Sequence, residues 1–485
     1  MGAIAGMAYL GGRTQARRTL LNAGVLAALA CWLAGAPPAW SAAALAIAGL
    51  VLAVLIAPAV GLAAIGLSIP LGGLLSLPVV KPADLLVGLV TIAWLAQGIA
   101  RRRIVFRRPP LAIPLLVFVW LAGLSLTQAE SWREGLPEWL KWAEFAAVYL
   151  VGCQILTPRS ARWLIAALLV AVSAEALLGA YQFARQVGPE AFVLLGRFMR
   201  AHGTFRQPNP YAGYLGYLLP PAVSLALAAA GQWRRRRTLR EAVAAGIFGS
   251  VGGLLALGIL MSWSRGAWLG AAAGLLATVG LRNRRTALLG LLAALLLGLL
   301  IATAGRAALP GSIGDRLSDL GGYFGGPDPA RTEITDANFS VLERLAHWQA
   351  GWRMFEDHPW LGVGIGNYAV AYPAYRLPHW YEPLGHAHNV FINFLAETGA
   401  LGAGAFLAFW LLTPIMLWRR AHARGVVAWA SALGVGVLGA WVYITVHSLF
   451  DNLFVQHIQL QLALLLCAVI AATGDRPGSG EADLA

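Results

Sequence analysis

Gly385-His386-Ala387-His388-Asn389-Val390 is the stretch on which the reading of this chain turns. A polar segment carrying two imidazoles ends there, and at Val390 the sequence re-enters an apolar run that continues to Leu417. Between Gly305 and His388 the chain holds nine of its 22 acidic residues and many of its Trp, Tyr and His, whereas the flanking sequence is nearly all Leu, Ala, Gly and Val. This is the pattern of a membrane scaffold that presents one polar site on its outer face.

Composition supports that class. Of 485 residues, 59% are hydrophobic and 12% charged, and the mean hydropathy is +0.67, which excludes an ordinary soluble protein and indicates a polytopic membrane protein. The net charge of +14 comes almost entirely from arginines in short clusters between apolar runs. Such clusters are topology signals and do not form the continuous basic face that nucleic acid requires. The three cysteines, Cys31, Cys153 and Cys467, lie inside apolar runs and read as packing residues. Arg17-Arg18 and Ala42-Ala43-Ala44 have features of a cleavable leader, but many further spans follow, so an uncleaved first span is the reading adopted.

A helix needs about 20 apolar residues to cross ~30 Å of hydrocarbon. By that rule the spans are 20–36, 41–58, 60–77, 84–100, 111–127, 141–157, 161–183, 211–230, 241–262, 266–281, 286–304, 390–417, 426–448 and 455–473. The clusters at Arg13/Arg17/Arg18, Arg101–Arg103 with Arg107/Arg108, Arg159/Arg162, Arg234–Arg237, Arg282/Arg284/Arg285 and Arg419/Arg420/Arg424 then share one side, which should be cytoplasmic. The weak pair is 41–58 and 60–77, meeting at Pro58; as a re-entrant pair it lowers the count from fourteen to twelve. The expected architecture is all-α: a transmembrane bundle in 1–304, a mostly helical outer loop in 305–389, further spans in 390–474 and a short tail in 475–485.

The outer loop is too long for a simple connection. Ser340-Val341-Leu342-Glu343 has capping-box spacing, and Val341, Leu345, Trp348, Trp352 and Phe355 recur at helical spacing. An amphipathic helix over 340–357 is expected, ending before His358-Pro359, its aromatic stripe packed or resting on the bilayer. Gly362-Val363-Gly364-Ile365-Gly366-Asn367 has no strand before it and reads as a tight turn close to other backbone, not a dinucleotide fingerprint.

The outer side collects Arg200 and Arg206 around Asn209, Arg265, the pair His386 and His388, and Asp451. Outer arginines beside spans run against the usual charge bias. Each can snorkel to headgroups; together they suit a diphosphate, whose oxygens match the guanidinium fork. An imidazole accepts protons near neutral pH, so His388 is the candidate general base, with Asn389 beside it. A metal at His386 and His388 is the other option, but no cysteine or carboxylate stands at ligand spacing in the sequence. No GxSxG, GxxxxGK[ST] or paired-carboxylate motif occurs.

At these residues the sequence resembles the bacterial O-antigen ligases, of the O-antigen ligase and polymerase superfamily. The ligase pattern runs His, Asn/Ser/Gln, nine residues, Gly, two residues, Gly/Thr/Tyr, and His388-Asn389, Gly399 and Gly402 satisfy it. Ser264-Arg265-Gly266, Gly203-Thr204-Phe205, Pro208-Asn209 and His358-Pro359 with Gly362, Gly364 and Gly366 extend the resemblance over roughly 200–452. It implies a bundle of twelve spans with a large periplasmic loop. It further implies metal-independent, inverting transfer of a glycan from undecaprenyl diphosphate to the lipid A core, at the periplasmic face of the inner membrane and without a cofactor. An O-antigen polymerase or a protein O-oligosaccharyltransferase shares this chemistry. A transporter or flippase of lipid-linked glycans is the alternative of another class, but the apolar spans 266–281, 286–304 and 426–448 lack mid-span charge for a substrate path.

The alternation of basic clusters generates a test of sidedness. Single cysteines within 310–385 are expected to react with a membrane-impermeant thiol reagent from outside, and cysteines within 233–240 to be protected. The reverse labelling pattern would overturn the topology.

Overall fold

The computed structural model describes residues 37–74, 80–194, 196–282, 327–335 and 338–474, with isolated positions 35, 285, 286, 288 and 292. The expected span 20–36 apart from position 35 and the expected span 286–304 apart from positions 286, 288 and 292 lie outside the described residues, as do the tail 475–485 and all of 305–326. Two compact units are present, Met1–Ala57 and Pro58–Ala485.

In the first unit the described element is α1 (Pro38–Ile56). The second holds α2 (Pro58–Ser68), α3 (Pro82–Ala100), α4 (Ala112–Ser125), α5 (Trp132–Ile155), α6 (Pro158–Arg185), α7 (Pro208–Gly216), α8 (Leu219–Arg236), α9 (Leu239–Met261), α10 (Arg265–Gly280), α11 (Phe339–Asp357), α12 (Tyr368–Tyr375), α13 (Val390–Ala421), α14 (Ala428–His447) and α15 (Ile458–Thr473). A two-stranded antiparallel hairpin, β1 (Val193–Leu194) and β2 (Phe198–Met199), interrupts the helices between α6 and α7. The protein is thus polytopic and helical.

Seven described helical segments are long and apolar enough to cross a membrane, and Pro58–Ser68, Ala112–Gln128 and Ile458–Thr473 are shorter apolar helices. By length and composition alone, the described residues do not reach the expected twelve. The 60–77 region departs from the expectation for a physical reason. Proline at 58 and again at 70 starts new helical segments, leaving an 11-residue helix and a 3₁₀ turn over Pro70–Gly73. Eleven residues rise only about 16 Å, short of the hydrocarbon thickness.

Large apolar side chains such as Trp120, Trp163, Ile99 and Leu411 are exposed, as lipid-facing residues are. Inside, Phe118 of α4, Trp142 and Phe145 of α5, and Phe394, Phe406 and Trp410 of α13 form one aromatic cluster, with Phe118 to Phe394 centroids 5.4 Å apart at 90°. Each well-oriented pair adds about 0.5–1.5 kcal/mol beyond burial. Phe454, from the 448–457 loop after α14, sits edge-on to Trp142 at 4.9 Å and so ties that loop to the core. Cys153 and Cys467 are free thiols, 3.7 Å apart at sulfur, and pack between α5 and α15.

α13 is broken at Gly399, whose φ of 60° and ψ of −167° are not helical. The backbone groups released by the break are not left bare. Ala400 N–H donates to the Pro359 carbonyl at 2.8 Å, and Val363 N–H donates to the Ala396 carbonyl at 2.9 Å. The 359–363 segment is therefore the partner that makes a broken helix tolerable. The glycine-rich stretch after it behaves as expected: at Gly364, φ is 94° and a Cβ would lie 2.7 Å from Ala129 Cα, so this turn runs directly against the 126–135 connection.

α11 matches the expected helix in extent but not in detail. Its N-cap is Asn338, not Ser340, and no capping box forms there. Its buried face is Leu342, Ala346, His347, Ala350, Gly351 and Met354, while Trp352 is 49% exposed. The small residues allow close packing on α13, where Gly351 approaches Ile392. The aromatic stripe lies beside that face, not on it.

Gly399→Ala is expected to cost about 1–3 kcal/mol, because a Cβ would meet the Trp360 carbonyl at 2.5 Å in a left-handed conformation that disfavours alanine. The thermal unfolding midpoint of the purified protein in detergent measures it; an unchanged midpoint would show that the break is not held by Gly399.

Candidate active site

Asn389 sets the position of the two histidines. It is the N-cap of α13, its Oδ1 accepting from Phe391 N at 3.0 Å and Ile392 N at 3.2 Å. Its Nδ2 donates to the Leu449 carbonyl at 3.2 Å, and Val390 N–H donates to the Ser448 carbonyl at 3.0 Å. The amide expected to orient His388 or the acceptor is instead committed to the helix start and to the 448–457 loop. His388 itself has φ 52°, a conformation that costs a non-glycine residue about 1–3 kcal/mol and tends to occur where geometry matters more than stability.

The loop brings Asp451 to the pair. Asp451 Oδ1 lies 3.4 Å from His388 Nδ1 and 3.8 Å from His386 Nε2, and it accepts from Asn452 N at 2.8 Å. Its other oxygen accepts from Asn209 Nδ2 at 2.5 Å. Burial alone would raise this carboxyl, but the His388 hydrogen bond, with the positive potential of the histidines and Arg344, outweighs it and holds Asp451 well below the usual carboxylate range.

His386 is pushed down to about 4, by burial first and then by His388, against the opposing pull of Asp451. It is therefore neutral at pH 7. Its Nδ1 accepts His388 N–H at 3.1 Å, which leaves the proton on Nε2, toward Asp451. By the same logic an Asp451-facing Nδ1–H on His388 leaves Nε2 as the acceptor. That atom is buried and has no hydrogen-bond partner among the described residues. The arrangement is that of a base oriented by a carboxylate, with a lone pair that no described residue engages.

On the other edge of Asp451 is a cavity of about 110 Å³, lined among others by Arg200, Arg265, Arg344, Asn209 and His447. The β1–β2 hairpin leads into Arg200, whose Nε donates to the Ser262 carbonyl at 2.8 Å and whose Nη2 donates to Asn209 Oδ1 at 3.1 Å. Asn209, between two prolines in the first turn of α7, thereby bridges Arg200 to Asp451. Trp263, with φ 54°, makes the turn from α9 to α10, and Arg265 is the first residue of α10, donating to Ser340 Oγ at 2.5 Å. Arg206 is placed differently: its Nε donates to the Gly73 carbonyl at 3.1 Å, and it does not line this cavity.

Two residues of α11 were not anticipated. Arg344 donates to the Phe450 carbonyl at 3.0 Å and to the Ser340 carbonyl at 2.7 Å, supplying the third guanidinium of the cavity. It stands in the 305–389 stretch away from any expected span, so the charge bias that singled out the other arginines does not reach it; its place one turn after Ser340 was the available signal. His347 is buried beside His388, with ring centroids 5.5 Å apart, stacked on Tyr372 at 4.6 Å and with Nδ1 3.1 Å from the Tyr368 hydroxyl. Burial, then the neighbouring histidines and Arg344, lower it to about 3.

His386, His388 and Asp451 also satisfy the distances for three metal ligands, Asp451 being the carboxylate that sequence spacing did not reveal. Both Asp451 oxygens already accept a hydrogen bond, however, from Asn209 and Asn452, and Oδ1 also faces His388 Nδ1. The donor set thus fits an ion less well than it fits an oriented base.

Residues 250–407 match the family described as O-Antigen ligase, Wzy_C. The match over that segment supports membership of the O-antigen ligase superfamily. The matched segment contains Arg265, Arg344, His386, His388 and Gly399, whereas Arg200, Asn209 and Asp451 lie outside it. No curated protein matches the chain.

The lowered histidines give stability a pH dependence. Folded His347 and His386 stay neutral while their unfolded forms protonate near 6.5, so their contribution is complete above pH 6.5 and is lost as pH falls through 6.5 toward 4 and 3. The unfolding midpoint, followed by tryptophan fluorescence in detergent, should fall over that window, and His347→Phe should flatten part of the fall. An identical slope in His347→Phe would remove His347 from the account.

Proposed function

We propose that this protein is an O-antigen ligase, transferring a glycan from undecaprenyl diphosphate to a sugar hydroxyl of the lipid A core at the periplasmic face of the bacterial inner membrane. The observation that carries this reading is the single carboxylate of Asp451 with His388 on one edge and a cavity of guanidinium groups on the other. A base and an anion site are thereby held side by side, as transfer from a lipid diphosphate to a hydroxyl requires.

His388 Nε2 takes the proton from the acceptor hydroxyl as its oxygen attacks the anomeric carbon. The bond from that carbon to the diphosphate oxygen breaks on the opposite side, so configuration inverts. Arg200, Arg265 and Arg344 hold the departing diphosphate and offset the charge that develops on it. Asp451 stabilises the imidazolium formed on His388, and Asn209 fixes Asp451 relative to Arg200. The arginines supply the charge that a divalent cation supplies in other phosphate chemistry. Arg206, anchored on Gly73, has no assigned part in holding the diphosphate. A polymerase of the same superfamily would use the same chemistry with another glycan chain as acceptor.

In an assay with purified undecaprenyl-diphosphate-linked glycan and lipid A core, His388→Ala should lower the rate by about 10²–10⁴ while inserting normally. Arg265→Lys keeps the charge but loses the planar fork and should weaken donor use substantially; Arg206→Lys should be close to wild type. His386→Ala should retain measurable transfer, and transfer by the wild type should persist in chelator at a temperature where the protein stays folded. Normal turnover by His388→Ala would sink the base assignment, and activity lost to chelator but restored by a divalent ion, with His386→Ala equally dead, would make the histidines metal ligands.

A further inference from the structure

A second group of side chains converges away from the cavity. Asp84 stands in the first turn of α3, Glu144 lies in α5, and His457 immediately precedes α15. One ligand atom from each, two carboxylate oxygens and an imidazole nitrogen, lies within 4.8 Å of the others. His457 Nε2 contacts Asp84 Oδ1 and is 3.7 Å from Glu144 Oε2, so one ring nitrogen faces two carboxylates.

The three groups have few other partners. A single N–H satisfies one acceptor, and among the described residues no lysine or arginine forms an ion pair with Asp84 or Glu144. Lys141, one turn from Glu144, gives its ammonium to Glu138 and to the Phe454 carbonyl. Lys81 offers Asp84 only a backbone N–H, to Oδ2 at 2.7 Å. Asp84 Oδ1 is shielded from solvent, and its contact with the ring nitrogen lacks hydrogen-bond geometry. Protons can be shared between Asp84 and each of its two neighbours, whereas one cation would engage both carboxylates and the ring nitrogen together. The side chains are 13–24% exposed, enclosed enough to retain an ion and open enough to admit one.

We propose that Asp84, Glu144 and His457 bind one divalent transition-metal ion that ties α3 and α5 to the 448–457 loop. An imidazole with two carboxylates suits Zn²⁺ or Mn²⁺, whereas Mg²⁺ and Ca²⁺ prefer oxygen alone. With metal–ligand bonds of about 2.0–2.2 Å, tetrahedral ligands stand roughly 3.3–3.6 Å apart, close to the separation of the ring nitrogen from Glu144, while the closer contact with Asp84 has to open as the ion enters. The ion's role is structural. The loop it anchors carries Asp451, and the same loop is held by Lys141 at Phe454 and by Gln456 Nε2, which donates to the Phe205 carbonyl at 2.9 Å. Consecutive positive φ values at Gln456 and His457, 51° and 65°, aim the imidazole at the two helices. The site is independent of the transfer reaction proposed above, since none of its residues lines the arginine cavity.

The test uses the full chain purified in detergent, stripped with chelator, desalted and incubated with ZnCl₂ or, separately, MnCl₂. Bound metal per chain after gel filtration and the unfolding midpoint are read together. One equivalent of ion and a rise of several degrees are expected. Asp84→Asn and His457→Gln should each weaken binding at least tenfold and abolish the rise, while His386→Gln with His388→Gln should keep both. Where His457→Gln does not fold, Glu144→Gln, which keeps the size of the side chain, decides. The proposal is overturned if the wild type holds no stoichiometric ion, if Asp84→Asn and Glu144→Gln retain it, or if the ion is lost with His386 and His388 instead.

Discussion

A buried carboxylate is the constraint on which the site depends. Asp451 lies 7% exposed with three guanidinium groups and two imidazoles around it, and no other acidic side chain lines the cavity. Taking a carboxylate out of water costs several kcal/mol unless hydrogen bonds replace the hydration. Here the replacement comes from Asn209, the Asn452 backbone and His388, three parts of the chain that must therefore be in register at once. The same requirement explains why the 448–457 loop is so firmly tied, through Asn389 to α13, through Phe454 to the aromatic cluster and through Arg344 to α11.

The break in α13 plays a related part on the other side of the histidines. The helix begins at the Asn389 cap, directly after His388, and is interrupted ten residues later at Gly399, where the 359–363 segment completes its hydrogen bonding. The first turns of α13 are thus held at both ends, one by the loop after α14 and the other by the loop after α11. The two glycines of the family pattern acquire distinct physical meanings: Gly399 takes up the non-helical conformation, and Gly402 lies where a Cβ would press on the Thr398 side chain one turn away.

What the sequence made legible follows the strength of each signal. Apolar runs separate membrane segments from polar ones, so the helical, polytopic character was plain, while Pro58 already marked the weakest stretch. Convergence of Arg200, Arg265, His388 and Asp451 was suggested by sidedness, but sidedness has no lateral resolution, and Arg206, six residues from Arg200, was grouped with the others although its guanidinium points to Gly73. The α11 helix shows a second limit. Tryptophans dominate any reading of its periodicity, yet close packing on α13 needs the face with Ala346, Ala350 and Gly351. Asn389 shows a third: an asparagine ahead of an apolar run is as good a helix cap as it is a catalytic neighbour, and only its bonds to Phe391 and Ile392 distinguish the two.

Chain order has a bearing on how such a site is made. Arg200 and Arg265 are synthesised well before Asp451, and at about 5–20 residues per second the delay amounts to roughly ten seconds or more. During that interval the Ser262 carbonyl and the Asn209 amide oxygen are already made for Arg200 and, later, the Ser340 hydroxyl for Arg265. Asp451 is the last of these residues to be made, so the site can close only once the loop after α14 has been synthesised.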